Sequence, residues 1–96
     1  MHAIIRTYSG KGAKELFDIA EKNKADLERV IREVKGFVSY SLVRTADGGL
    51  SVSVYQDKTG ADESVRVVRD WIAKNAANVG AAAPAISEGV VIMQLK

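Results

Sequence analysis

The chain contains no cysteine, one proline and one tryptophan, and its only histidine is His2. The absence of cysteine excludes disulfides, thiolate nucleophiles and zinc-thiolate centres. A single histidine argues against a Ser-His-Asp triad and against a histidine-clustered metal site. We therefore expect no metal site, and we expect His2 to be frayed or exposed because it lies beside the N-terminus.

Long hydrophobic runs are also missing, since apolar stretches extend over only a few residues. Such runs are too short to span a bilayer, and the N-terminus lacks the apolar core of a signal peptide. The 14 Lys and Arg residues are scattered among 12 Asp and Glu residues, for a net charge of +2. This balance gives no indication of nucleic-acid binding. We expect a cytoplasmic protein with neither a membrane nor a nucleic acid as partner.

What the sequence does contain is an ordinary globular composition, with 47% hydrophobic and 27% charged residues in 96 positions. A chain of this length is predicted to form one domain over residues 1–96. Apolar residues at helical spacing predict a helix over 13–35, with a bend near Glu21–Lys24 where the apolar stripe weakens. A second helix is predicted after Thr59, its presumed N-terminal cap, with apolar residues from Val65 to Val79.

Strands are predicted on both sides of these helices, at residues 3–8, 37–43, 50–55 and 86–95. Residues 90–93 are apolar on both faces, so we expect them to be buried. The order of elements predicts an α+β, ferredoxin-like βαββαβ fold, in which a four-stranded antiparallel sheet carries both helices on one face. The other face would be uncovered and partly apolar, which favours a homodimer formed through the sheet.

Serine alternates with apolar residues in the predicted hairpin, whose turn is placed at residues 47–49. If both strands present serine to one side, the helices contact Val38, Tyr40, Leu42, Leu50, Val52 and Val54. The opposite side, facing a partner subunit or a pocket, would then hold Phe37, Ser39, Ser41, Ser51, Ser53 and Tyr55. For the first strand, the sequence leaves open whether Arg6 and Tyr8 or Ala3, Ile5 and Thr7 face the helices.

The order of elements, Gly36-Phe37 at the start of the second strand, and Trp71 in the second helix resemble a known superfamily. This is the dimeric α+β barrel proteins, which include antibiotic-biosynthesis-type and haem-degrading monooxygenases. The stretch 56–64, followed by Trp71-Ile72, is most similar to small uncharacterised bacterial members. The resemblance implies two sheets packed face to face across a dimer, and a ligand cavity between sheet and helices.

The haem-degrading members of this superfamily use a first-strand asparagine, a second-helix tryptophan and a following histidine. Only the tryptophan is matched here, by Trp71, so the resemblance does not extend to that mechanism. The quinone-forming members need no bound metal or flavin, because an electron-rich phenolate can itself transfer an electron to oxygen. The resemblance therefore implies no cofactor. The ligand-binding candidates are Ser51, Ser53, Tyr55, Trp71 and Asn75.

Two interpretations of Trp71 stay open: an aromatic at the edge of the core, or the wall of a ligand cavity. The leading functional hypothesis is a homodimer that binds a small aromatic ligand and acts as a cofactor-independent monooxygenase. The alternative is a non-catalytic ligand-binding or stress-response module that dimerises. A third hypothesis, RNA binding on the open sheet face, requires aromatic and basic residues where the sequence mostly places serine.

Overall fold

The computed structural model describes all 96 residues and has the predicted ferredoxin-like arrangement, with one helix divided in two. The elements are β1 His2–Ser9, α1 Ala13–Lys22, α2 Lys24–Arg32, β2 Phe37–Thr45, β3 Gly48–Tyr55, α3 Lys58–Asn75, a 3-10 turn Ala77–Val79 and β4 Ala85–Val90. The strands form one antiparallel sheet in the order β2-β3-β1-β4. No helix has both the length and the apolar character that crossing a membrane requires.

The break between α1 and α2 confirms the predicted bend. It falls at Asn23, whose backbone N–H bonds to the carbonyls of Ile19 and Ala20 and whose side-chain amide donates to the Ile19 carbonyl at 2.8 Å. An asparagine side chain that bonds its own backbone competes with continued helix. The two short helices can therefore follow the curvature of the sheet better than one straight helix of the same length.

Close packing between α1 and β3 depends on a glycine. A Cβ atom at Gly49 would lie only 2.1 Å from the ring of Phe17, so no larger residue fits there without movement. Phe17 in turn contacts Tyr8 edge-to-face, with ring centroids 5.7 Å apart. These contacts bring α1 against the centre of the sheet.

The faces predicted for the hairpin are wrong, and the error arises from the turn. The observed turn is two residues long, Ala46-Asp47, and pairs Thr45 with Gly48 rather than enclosing residues 47–49. Paired residue numbers beyond the turn therefore sum to an odd number, as in Ser41 with Val52. Because directly paired residues share a face, the odd-numbered serines of β2 and β3 lie on opposite faces. A shift of one residue reverses a strand's faces.

The helices consequently cover a face that the serines of β3 line. Ser51 and Ser53 are 2% and 1% exposed, and the side chains that share their face are Ile4, Arg6, Tyr8, Tyr40, Leu42 and Tyr55. Phe37 also packs against the helix-side core, beyond an irregularity between Phe37 and Ser39. The prediction was right for Tyr40 and Leu42, and wrong for Phe37, Ser51, Ser53 and Tyr55.

The open face of the sheet carries the residues of opposite parity. The strand pairing places Ala3, Ile5, Thr7, Ser39, Ser41, Val43, Leu50, Val52 and Val54 on it. The prediction that Leu50, Val52 and Val54 contact the helices is therefore wrong. Val43 is 44% exposed and Val54 is buried at 5%, while Ile5, Leu50 and Val52 are half-buried. This face is more apolar than the predicted serine face.

Three further predictions were wrong in detail. Helix α3 is capped by Asp57, which accepts a hydrogen bond from the Gly60 amide at 3.0 Å, and not by Thr59. His2 is paired in β1, and its Nε2 lies 3.2 Å from a carboxylate oxygen of Glu88. The last strand ends at Val90, and the apolar residues after it are not buried. Val90, Ile92, Met93 and Leu95 are 73%, 97%, 74% and 84% exposed.

Candidate functional site

A charged side chain is buried between the sheet and α3. Arg6 is 2% exposed, and its guanidinium donates to three serine hydroxyls. Nη1 lies 3.4 Å from the Ser51 oxygen and 3.2 Å from the Ser53 oxygen, and Nη2 lies 3.2 Å from the Ser64 oxygen. Arg6 sits opposite Ser51 in the β1–β3 pairing, and Ser64 projects from α3 above them. We call Arg6, Ser51, Ser53 and Ser64 the Arg6 cluster.

No carboxylate accompanies this buried charge. Every salt bridge of the chain involves another cation, and none includes Arg6. Hydrogen bonds between an ammonium or guanidinium and a carboxylate are typically about 2.7–2.9 Å long, so the contacts of 3.2–3.4 Å to neutral hydroxyls are loose. Removing a charge from water is costly without an opposite charge. The guanidinium is thus held in place but only weakly compensated.

All three tyrosines of the chain surround the Arg6 cluster. Burial raises the pKa of Tyr40 to about 12, although the charge of Arg6 acts in the opposite direction. Burial likewise raises the pKa values of Tyr8 and Tyr55, and Arg6 again lowers them. The phenols are therefore neutral near pH 7 and cannot serve as counter-ions to Arg6.

The hydroxyl of Tyr55 is the one buried side-chain polar atom without a hydrogen-bond partner. Tyr55 is fully buried and packs edge-to-face on Phe37, with ring centroids 6.0 Å apart. The nearby Ser64 hydroxyl donates instead to the Ala61 carbonyl at 2.6 Å. Buried polar atoms usually find partners, so this orphan marks the region around Arg6 as incompletely satisfied.

A cleft opens beside this cluster, between α1, α2 and the edge strand β2. Its volume is about 490 Å³. Its apolar walls are Phe17, Leu27, Ile31, Phe37, Tyr40 and Leu42, and its mouth carries charged residues that include Lys24, Arg32 and Arg44. A volume of this size is within the range of small-molecule sites.

A narrow inner space of about 30 Å³ lies deeper, between the sheet and α3. Tyr40 and Leu42 line both the outer cleft and the inner space, so the two adjoin. The inner space is also lined by Ser51, an acceptor of the Arg6 guanidinium, and by Trp71. The Arg6 cluster therefore adjoins the inner space through Ser51.

The structure places the predicted site residues in three different settings. Ser51 and Trp71 line the inner space, while Ser53 and Tyr55 are buried nearby around Arg6. Trp71 is 6% exposed and its indole N–H donates to Asp26 at 2.9 Å. Asn75 lies apart, because it is exposed, lines the groove between α2 and α3, and donates to the Trp71 carbonyl.

Sequence reasoning missed Arg6 and Tyr40 as site residues. The available signal was the spacing of Ile4, Arg6 and Tyr8, which places the arginine between two large residues on one face of the strand. The opposite face of the same strand, with Ala3, Ile5 and Thr7, also mixes apolar and polar residues. The strand sequence alone therefore could not identify the buried face. No group of three or more histidine, aspartate or glutamate side chains is arranged to hold a metal ion.

No protein-family model and no curated protein matches the sequence. Solved structures do match over nearly the whole chain. One is a mutant of MhuD with two manganese protoporphyrin IX groups bound per active site, at 17% identity and TM-score 0.68, covering 99% of this chain and 97% of that one. A second is SnoaB, a cofactor-independent oxygenase from Streptomyces nogalater, at 15% identity and TM-score 0.66, covering 98% and 95%.

A third match is a dimeric ferredoxin-like protein from an uncultured marine organism, at 13% identity and TM-score 0.65, covering 99% of this chain and 95% of that one. At such identities the likeness defines the fold. The chain has the ferredoxin-like fold that these three structures share. The resemblance drawn from the sequence is confirmed at this level.

The raised tyrosine pKa values predict an unusual alkaline titration. At about pH 10.5, unfolded tyrosine is mostly ionised because its ordinary pKa is about 10, whereas the folded chain should show less phenolate absorbance because burial raises the pKa values of its tyrosines. The folded state favours the neutral phenols. The free energy of unfolding should therefore fall as the pH rises from about 10 towards the folded pKa of Tyr40, about 12. Ultraviolet titration in buffer and in concentrated urea measures both states. Native titration of all three tyrosines near pH 10 would contradict the burial described here.

Proposed function

We propose that the cleft binds a small aromatic ligand and that the protein oxygenates it without a bound cofactor. The observation that carries the proposal is the apolar cleft between the helices and β2, about 490 Å³ in volume. Its aromatic walls, Phe17, Phe37 and Tyr40, suit a flat ring. That a cofactor-independent oxygenase shares the fold supports the reaction class, on fold-level analogy.

The proposed oxygenation requires of the protein only a suitable environment for the substrate. An ionised phenol or enol transfers an electron to O₂, and one oxygen atom then enters the ring at a carbon that carries one hydrogen. The other oxygen atom leaves as water with that hydrogen and the proton of the phenol or enol. The substrate supplies all the electrons, so no reductant is needed. The protein would exclude water, hold the ring, and stabilise developing negative charge.

Oxygen uptake with a panel of polycyclic phenols and their keto tautomers tests this proposal. The wild type should consume O₂ and form the quinone. Leu42→Trp should fill the junction of the outer cleft and inner space, where both cavities meet Leu42, and should reduce kcat/KM at least about 10-fold. Arg69→Trp, the same new side chain at an exposed position of α3 outside the cleft, should leave kcat/KM unchanged.

Absence of turnover with the whole panel would contradict the catalytic part of the proposal. If ligands nevertheless raise the melting temperature in the wild type but not in Leu42→Trp, the cleft binds without catalysis. That result would favour the non-catalytic ligand-binding module. Absence of both turnover and stabilisation would contradict the cleft as a ligand site.

We also propose that two copies pair through the open sheet face. Ile5, Val43, Leu50 and Val52 lie on this face and are at least partly exposed. The exposed apolar tail, including Ile92 and Leu95, adds further surface that a second copy would cover. Contiguous apolar surface of this kind is typical of an interface. A dimeric protein with the same fold supports this assembly.

Sedimentation at micromolar concentrations tests the assembly. The wild type should have twice the 10.4 kDa mass of one chain. Val52→Glu places a charge at the centre of the open face and should give monomers, because an unpaired charge is costly to bury in an interface. Ala73→Glu, on an exposed position of α3, should remain dimeric. A monomeric wild type, or a dimeric Val52→Glu variant, would contradict this interface.

A further inference from the structure

The buried guanidinium of Arg6 has positive charge that no side chain of the folded protein neutralises. Its acceptors are three neutral serine hydroxyls at 3.2–3.4 Å. The neighbouring phenols are held neutral by burial, which raises their pKa values. The other five arginines of the chain are all exposed at the surface. Four of them pair with carboxylates there, namely Arg29, Arg32, Arg44 and Arg66. Arg6 is the exception.

The space beside the cluster has the size of one small polar group. The inner space of about 30 Å³ exceeds the roughly 10–15 Å³ that a cavity needs in order to hold one water molecule. A carboxylate oxygen is of similar size. Ser51 lines this space and accepts from Arg6, and Tyr40 lines both this space and the outer cleft. A ligand with its ring in the outer cleft could therefore extend one anionic group inward.

We infer that the Arg6 cluster is the binding site for a carboxylate carried by the aromatic ligand of the cleft. The inference rests on the proposed function, because it requires a ring in the outer cleft. The carboxylate would accept charge-assisted hydrogen bonds from the guanidinium, whose planar donors match carboxylate geometry.

A competing location for an anion is the mouth of the cleft, where Arg44 lies. Arg44 is already paired with Asp18 at 3.1 Å and with Glu21 at 3.0 Å, and its side chain is 44% exposed. Charges in such a setting attract an anion weakly, because water and the neighbouring carboxylates screen them. Arg44 therefore provides a matched control: a cation of the same type, next to the same cleft, without burial.

Calorimetric titration with 2-naphthoate and with its neutral analogue 2-naphthalenemethanol tests the inference. At pH 7 the wild type should bind the carboxylate at least about 10-fold more tightly, as a charge-assisted hydrogen bond allows. Arg6→Met should bind both compounds within about 2-fold of each other. Arg44→Met should keep the wild-type preference. A nuclear magnetic resonance titration of the wild type should shift the Arg6 guanidinium signal with naphthoate and not with the alcohol, so this readout requires no variant.

The outcomes separate the two proposals. Equal binding of both compounds to the wild type would overturn the carboxylate site and leave the ligand cleft intact. Loss of the preference in Arg44→Met, with retention in Arg6→Met, would overturn it in favour of an anion held at the mouth. If neither compound binds and no phenol of the panel does, the ligand cleft itself is contradicted. An unmoved Arg6 signal under saturating naphthoate would also overturn the inference.

Discussion

The burial of the Arg6 guanidinium against three serine hydroxyls is the constraint that explains the polar lining of the helix-covered face of the sheet. It joins β1 to β3 through Ser51 and Ser53 and to α3 through Ser64. It also contributes the positive charge that acts on every tyrosine of the chain. Because β3 presents serines to the helices, it buries less apolar area there than an apolar strand would. The same serines provide hydrogen-bond acceptors for the Arg6 guanidinium, whose burial without them would be costly.

The location of this cluster follows from strand register. The two-residue turn at Ala46-Asp47 makes β3 present Ser51 and Ser53 to the helices, while β2 presents Ser39 and Ser41 to the open side. The same register leaves Val52 on the open face. One turn therefore determines both the polar lining beneath the helices and the apolar surface through which we propose that two copies pair.

Much of the fold could be predicted from the sequence because it depends on local signals. The order of elements follows from hydrophobic spacing, and the helix break at Asn23 follows from a weak apolar stripe. The site could be predicted only in part. Trp71 and Ser51 line the inner space, but their neighbour Arg6 was not identified. The spacing within a strand defines two faces without saying which one is buried. The predicted turn had three residues instead of two, and this reversed the facing of β3 relative to β2.

The exposed C-terminal apolar residues illustrate a different limit. The hydrophobicity of Ile92 and Leu95 predicts that these residues are buried, and the sequence-based prediction was burial within the same chain. In the structure of a single chain, Ile92 and Leu95 are exposed. Sequence patterns record burial in the working assembly, so they do not distinguish a core within one subunit from a surface between two.

The central claim is that Arg6 is placed where a ligand needs a charge and not where the fold needs one. The free energy of unfolding of Arg6→Met, measured by urea denaturation without ligand, tests it most directly. Replacing a buried, poorly compensated ion by an apolar side chain of similar length is often neutral or stabilising, so the account predicts stability equal to or above that of the wild type. A loss of about 3 kcal/mol or more, the cost typical of breaking a structural buried ion pair, would contradict it.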